Sequence, residues 1–257
     1  MSAPRTSPDT EPPSLPHDPT PLSRVLARVS ASRAAGGPTP VVVFDLDATL
    51  YDNRPRTLAI VREFAATVPA SEAGLRERLD TLTLDHMRYL VADALELVGV
   101  TDPSVVKRVT SFWWARFFRD RYIKHDVPAP GAVAFAQACY DAGANLVYLT
   151  GRDLPGMLTG TVKKLRDDAF PYAVAGTQVI LKPTKKASDD AFKRAVLPTL
   201  TRLGAPVAFF DNEPANCNAA RELLPDADVI WLDTQCVPNP PPLAEGIPMV
   251  RHFEGFR

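Results

Sequence analysis

Redox and soft-metal chemistry have little to draw on in this 257-residue chain. Three cysteines, Cys139, Cys217 and Cys236, are too few and too scattered for a disulfide framework or a zinc site, which fits a reducing compartment. Four histidines, His17, His86, His125 and His252, form no His-Glu-x-x-His or paired arrangement, so none is assigned a role. No run of eighteen apolar residues occurs to span a membrane, and no apolar stretch near the start could serve as a signal peptide. The formal net charge is −1, which argues against nucleic acid and other extended polyanions as partners. Basic clusters such as Lys163-Lys164-Arg166 read as solvated helix faces. What these absences leave is a soluble, cytoplasmic protein with a small anionic substrate as the expected partner; its oligomeric state is not legible.

Proline is plentiful at the start: Pro4, Pro8, Pro12, Pro13, Pro16, Pro19 and Pro21 lie among Ser, Thr and Asp. Residues 1–37 therefore read as a disordered tail, ending in a short helix around Leu22–Ala34. Beyond it, Val41-Val42-Val43-Phe44 reads as a buried parallel strand, followed at once by Asp45-Leu46-Asp47. Residues i and i+2 of an extended segment point the same way, so both carboxylates address one small volume. Two later runs repeat the design. Leu146-Val147-Tyr148-Leu149 leads into Thr150-Gly151-Arg152, and Val207-Ala208-Phe209-Phe210 leads into Asp211-Asn212-Glu213. Open α/β sheets bind ligands at the carboxyl ends of their strands, so one crevice would collect carboxylates, a hydroxyl and a guanidinium. That inventory suits phosphate and magnesium.

In sequence order, Asp45-Leu46-Asp47-Ala48-Thr49, Leu149-Thr150-Gly151-Arg152, a downstream lysine and Phe210-Asp211-Asn212-Glu213 resemble the haloacid dehalogenase (HAD) superfamily of phosphohydrolases. The resemblance covers roughly residues 38–235, and the first motif is the specific one. Two positions depart from it. Ala48 stands where the family more often has Gly, and Asp211-Asn212 where many members have Asp-Asp, which leaves the acidic metal ligands open.

The resemblance implies a chemistry for each residue. Asp45 is the candidate nucleophile, forming an aspartyl-phosphate that splits the reaction into two displacements. Asp47 is the candidate general acid and base, a role helped if the neighbouring negative charge raises its pKa. A second Asp here argues for phosphate esters over carbon–halogen or carbon–phosphorus bonds. Asp45, Asp211 and the Asp47 main-chain carbonyl would hold Mg2+, with Asn212, Glu213 and Asn216 as further candidates. Thr150, Gly151 and the amides after them would bind phosphoryl oxygens. Arg152 would either clamp a substrate phosphate or pair with an acid in the crevice. Of Lys182, Lys185, Lys186 and Lys193, Lys193 fits the family spacing best, in a helix capped by Ser188 or Asp189; Lys182 is the runner-up.

Between the first two motifs the pattern turns helical, with Leu75, Leu79 and Leu82, then Met87, Leu90 and Val91. The expected fold class is α/β: a Rossmann-like HAD core at 38–51 and 131–257, its mainly parallel sheet flanked by helices, with a helical cap over 52–130 inserted after the first catalytic strand. Phe112, Trp113, Trp114, Phe117, Phe118 and Tyr122 would pack cap against core or stack on a base or sugar. Arg116, Arg119 and Arg121 would be solvated or meet a second anionic group. The leading expectation is an Mg2+-dependent phosphomonoester hydrolase acting on a small phosphometabolite. The alternatives are a phosphotransferase or mutase, a nucleic-acid end phosphatase without a G-x-x-x-x-G-K-[ST] kinase loop, and a non-catalytic ligand-binding protein.

Overall fold

A computed structural model describes residues 17–257 of the chain. Strand β1 (Pro40–Phe44) is buried at every position, and its side chains alternate between two apolar clusters. Val42 and Phe44 enter one, Val41 and Val43 the other. The same two-faced burial holds for β4 (Asn145–Asp153), where Leu146 and Tyr148 oppose Val147 and Leu149. Unbroken apolar runs are what a strand covered on both faces requires. A short pair, β2 (Tyr51–Asp52) and β3 (Val127–Pro128), is antiparallel and stands apart. With β5 (Thr177–Lys182), β6 (Ala205–Asp211), β7 (Asp228–Leu232) and β8 (Met249–Val250), β1 and β4 make a six-stranded sheet. Its order is β5-β4-β1-β6-β7-β8, and all its neighbours pair parallel.

Helix α1 (Thr20–Ala34) sends Leu22, Val25 and Val29 into the cluster that also takes Phe44, Tyr148 and Phe210. The short helix expected around Leu22–Ala34 is present, beginning two residues earlier, but it is packed into the core, which corrects the reading of residues up to 37 as a disordered tail. Apolar side chains at three- and four-residue spacing give the segment a face to bury, and Pro21 in the first turn costs no helical hydrogen bond. Residues 1–16 of that expected tail lie outside the described residues.

Between β2 and β3 run α2 (Arg54–Thr67), α3 (Ala73–Asp80), α4 (Val91–Leu97), α5 (Pro103–Phe117) and α6 (Asp120–Ile123). These helices surround their own apolar cluster, which includes Leu58, Phe64, Leu79, Leu82, Met87, Val91, Leu95 and Val109. Asp102 starts α5 by accepting from Ser104 N and Val105 N at 2.9 and 3.1 Å. Leu90 departs from the expected apolar stripe: it precedes the first turn of α4 and is 44% exposed.

The chain returns to the sheet through α7 (Ala132–Asp141), entered at Gly131 with φ +74°. A Cβ there would sit 2.5 Å from the Phe253 backbone, so only glycine permits both the turn and the approach. Next come α8 (Leu154–Asp167), α9 (Asp189–Val196) and α10 (Pro214–Leu223). On α10, Cys217 and Ala220 cover the second face of the sheet. The proline-rich 237–242 stretch forms no helix or strand. Asn218 on α10 clamps its far end, donating to Pro242 O and accepting from Ala244 N. No described helix is long and apolar enough to cross a membrane.

If α1 belongs to the folded core, Leu22→Ala should cost about 2–5 kcal/mol in urea unfolding, the range for a large-to-small change at a fully buried site. A loss under about 1 kcal/mol would show that the helix is peripheral.

Candidate active site

Asp45 follows β1 directly, and its backbone N–H donates to Phe210 O at 2.9 Å, continuing the ladder to β6. Asp211 closes β6, and Thr150, Gly151 and Arg152 lie in the last part of β4. Because these three strands are adjacent and parallel, their carboxyl ends share one edge.

Lys193 joins the first two. Ser188 caps α9, its Oγ accepting from Ala191 N at 3.5 Å, and five residues later the Lys193 side chain enters the crevice. Its Nζ donates to Asp45 Oδ1 at 2.7 Å and Asp211 Oδ2 at 2.6 Å. All three residues are buried. Burial alone would discharge the ammonium, but the Asp211 and Asp45 carboxylates outweigh it and hold it charged. Burial pushes the Asp45 carboxyl up to about 7, against the pull of Lys193 and with the Asp211 charge adding to the rise. Asp211 is further fixed: its Oδ1 accepts from Glu213 N at 2.9 Å and Asn216 Nδ2 at 3.0 Å.

The other lysines lie elsewhere. Lys182 donates to Ala187 O at 3.0 Å and pairs with Asp189, so it braces the loop before α9. Lys185 places its Nζ 4.5 Å from the Trp114 ring centroid and 4.3 Å from that of Phe118. Gly151 admits the Asp189 carboxylate where a Cβ would stand 2.3 Å from its Oδ2. Thr150 is fully buried, its Oγ1 accepting from Arg152 N at 3.2 Å. Asn212 is held on both sides, accepting from Thr49 Oγ1 at 3.2 Å and donating to Gln235 O at 2.6 Å. The Glu213 carboxylate accepts from Val237 N at 3.1 Å. Among the described residues, no three His, Cys, Asp or Glu side chains cluster as a metal-binding group.

A second charge cluster surrounds Asp47. Arg152 grips it with Nε on Oδ2 at 2.8 Å and Nη2 on Oδ1 at 3.0 Å, while Arg56 Nη2 reaches Oδ1 at 2.6 Å. Asn53 Nδ2 adds a third donor to Oδ1 at 3.3 Å. Both guanidiniums also hold Asp126: Arg56 donates through Nε at 2.7 Å and through Nη2, and Arg152 through Nη2 at 2.8 Å. Phe117 covers Arg56, whose Cζ lies 4.4 Å from the ring centroid.

This arrangement corrects one expectation and resolves another. Burial does push the Asp47 carboxyl up, but Arg152 and then Arg56 outweigh it and hold it well below the usual carboxylate range. The rise from its negative neighbour that would help an acid role is overridden by the two arginines. Arg152, open between substrate clamp and acid partner, is paired with Asp47 and Asp126. Deeper in the same cluster, burial raises Asp126 despite both arginines.

Arg56 and Asp126 escaped the sequence reading. Each is a single charged residue beside a turn, with no motif around it, and their partnership spans seventy positions. Of the insertion's aromatics, Phe112 packs edge-on against Phe64 at 5.3 Å and Trp113 Nε1 donates to Thr57 Oγ1 at 3.1 Å. Trp114 remains 54% exposed. Arg116 lies on Phe112 and pairs with Glu63 at 3.1 Å.

Ala48 has φ +58°, the left-handed conformation, at the position where the resembled family more often has glycine. A Cβ in that conformation costs roughly 1–2 kcal/mol, partly offset by the entropy glycine adds to the unfolded chain. Ala48→Gly should therefore raise stability by about 0.5–1 kcal/mol in denaturant unfolding, and a net loss would refute the strain. Arg56→Ala should cost about 3–5 kcal/mol, because Asp126 is left buried with one partner, whereas Arg76→Ala, at an exposed pair with Asp80, should stay within about 1 kcal/mol.

No protein-family model matches the sequence, and no curated protein does. Solved structures do match. The structure of Protein Tyrosine Kinase A from Mycobacterium tuberculosis is 16% identical over 83% of this chain and 94% of that one, with a TM-score of 0.51. A HAD-superfamily hydrolase of subfamily IA, variant 1, from Geobacter sulfurreducens is 12% identical over 83% and 92%, with a TM-score of 0.49. A HAD-superfamily hydrolase from Ehrlichia chaffeensis is 13% identical over 84% and 93%, also with a TM-score of 0.49. At these identities the likeness is one of fold.

Proposed function

We propose that this chain, an α/β protein of HAD-like fold, is a magnesium-dependent phosphomonoester hydrolase that acts through an aspartyl-phosphate on a small cytoplasmic phosphometabolite. The observation that carries the reading is the Lys193 ammonium between Asp45 and Asp211 at the carboxyl edge of a parallel sheet. Lys193 holds Asp45 by Oδ1 alone, and no described donor takes Oδ2, so one carboxylate oxygen is free to attack phosphorus. The Thr150 hydroxyl accepts from Arg152 N and keeps its own hydrogen to donate to a phosphoryl oxygen. In the first displacement the Asp45–phosphorus bond forms as the ester bond breaks, and the leaving oxygen takes a proton from Asp47. Water then attacks phosphorus, Asp47 accepts its proton, and phosphate leaves Asp45. Asp47, held ionised by its arginines, is a ready acceptor for the second step, and must collect a proton to serve the first.

Magnesium fits the donor set. The Asp45 and Asp211 carboxylates and the Asp47 main-chain carbonyl are hard oxygens of the kind that cation prefers, and two side chains with one carbonyl suffice where waters and phosphate complete the shell. Charge agrees. Asp45, Asp47, Asp126 and Asp211 bring four negative charges against three positive ones from Arg56, Arg152 and Lys193, before a phosphate dianion enters. The cation would supply the missing positive charge, and the burial-raised Asp45 would be held in its ionised, nucleophilic form. The helical insertion between β2 and β3 would act as a cap that excludes water and selects the leaving group.

Phosphate release from a panel of phosphomonoesters tests this directly. Release should require magnesium, stop on chelation, return when the metal is restored, and fall at least about a thousandfold in Asp45→Asn. Acid-quenched wild type should carry a hydroxylamine-labile phosphoryl group that the variant lacks. Undiminished release by Asp45→Asn would assign the nucleophile elsewhere, and no release by the magnesium-loaded wild type would overturn the hydrolase reading.

A further inference from the structure

Asp126 touches neither Asp45 nor Lys193, yet it is a buried carboxylate shared by two arginines at the root of the insertion. Its place in the chain is telling. It immediately precedes β3, where the chain returns to the sheet, and Arg56 lies in the first turn of α2, just after β2, where the chain leaves it. Asp47 and Arg152 belong to the sheet edge. The four side chains therefore span both crossings between insertion and core.

How the donors are shared matters more than their number. Arg56 turns its fork, Nε and Nη2, onto Asp126, and spares a single Nη2 contact for Asp47 Oδ1. Arg152 gives Asp47 a fork, gives Asp126 one contact from the same Nη2, and spends Nη1 on Thr161 at 3.2 Å. Asp47 Oδ1 is thus crowded by three donors, while among the described residues Oδ2 accepts only from Arg152 Nε. The second lone pair of Oδ2 is open, on a side chain that is 27% exposed to the crevice. Apart from Asp126, what restrains Arg56 on its far side is the Phe117 ring and a long 3.4 Å contact from Nη1 to Phe117 O, neither of which holds the Nε–Nη2 fork. Without Asp126 the fork is free to turn onto Asp47 and cover that oxygen.

We propose that Asp126 is a positioning residue: by engaging the Arg56 fork it keeps Asp47 Oδ2 uncovered for proton transfer, and it ties that geometry to the seating of the insertion. The inference rests on the hydrolase reading and on Asp47 as its proton carrier. Asp126 acts only through the arginines.

The test compares two leaving groups in Asp126→Asn, which releases the Arg56 fork, and in Asp126→Asn combined with Arg56→Lys, a change that keeps a positive charge and removes the fork. 4-Nitrophenyl phosphate leaves without help from an acid, whereas an alkyl phosphate needs one. Asp126→Asn should lose about tenfold or more of kcat on the best alkyl ester found for the wild type and less than about threefold on 4-nitrophenyl phosphate, with KM little changed, and the double variant, with no fork left to cover Oδ2, should regain most of that loss. Thermal melting establishes that each variant is folded. Should Asp126→Asn fail to fold, Asp126→Glu, whose longer side chain displaces the fork while keeping the charge, is measured on the same two esters and decides in its place. Equal losses on both esters, or none, in a folded Asp126 single variant, or no recovery in the folded double variant, would overturn the positioning role. A wild type inactive on every ester would instead sink the hydrolase reading itself, and a wild type that cleaves aryl esters only would remove the proton-carrier step on which Asp126 depends.

Discussion

A single buried ammonium is the constraint on which the crevice depends. Asp45 and Asp211 end neighbouring strands, so the parallel sheet brings two carboxylates side by side whether or not their charges agree. Lys193 is what makes the pairing tolerable, since a buried charge left without a partner costs several kcal/mol. It in turn needs α9 to begin where it does. Ser188 caps that helix, and the Lys182–Asp189 pair ties its first residue to the end of β5. A local sequence feature, a capped eight-residue helix, thus closes a contact between residues up to 148 positions apart.

The two charge clusters differ in balance. Around Lys193, one cation faces two carboxylates, and burial shows as an Asp45 that is reluctant to ionise. Around Asp126, two guanidiniums face two carboxylates, and the balance is struck inside the protein. The first cluster is left in want of positive charge, as a site for a cation and an anionic substrate should be. The second is complete and walled by Phe117 and Tyr51, as a support should be. Polar groups that are satisfied hold a shape, and polar groups that are not satisfied invite a ligand.

What the sequence made legible follows the same division. Asp45, Asp211 and Arg152 stand at the ends of apolar runs, and a buried strand announces its end by the first polar residues after it. Lys193 could be ranked above Lys182 because helix caps are local and spacing from a cap is countable. Arg56 and Asp126 gave no such signal: each is read alone as a surface charge, and only the closing of the β2–β3 pair makes them partners. Asp47 was found in place, but the raised pKa that would help its acid role is not there, because its neighbours in space are arginines. The helix near the end of the tail was expected, but its packing into the core was not. The tail's prolines dominate the composition, whereas Leu22, Val25 and Val29 at helical spacing decide the packing of its last part.

The three tryptophans divide in a way that gives the molecule a built-in optical gauge. Trp113 is fixed to Thr57 inside the insertion, and Trp231 donates to Asn212 O at 2.8 Å within the sheet, so both indoles are anchored within their own part of the fold. Trp114 alone projects from the insertion to a lysine of the loop after β5, half-exposed beneath a cationic side chain. Indole emission shifts with the polarity and charge around the ring. Separation of insertion and sheet would strip Lys185 from that ring and wet it, so the spectrum of one native residue records how far the crevice is open, without any label.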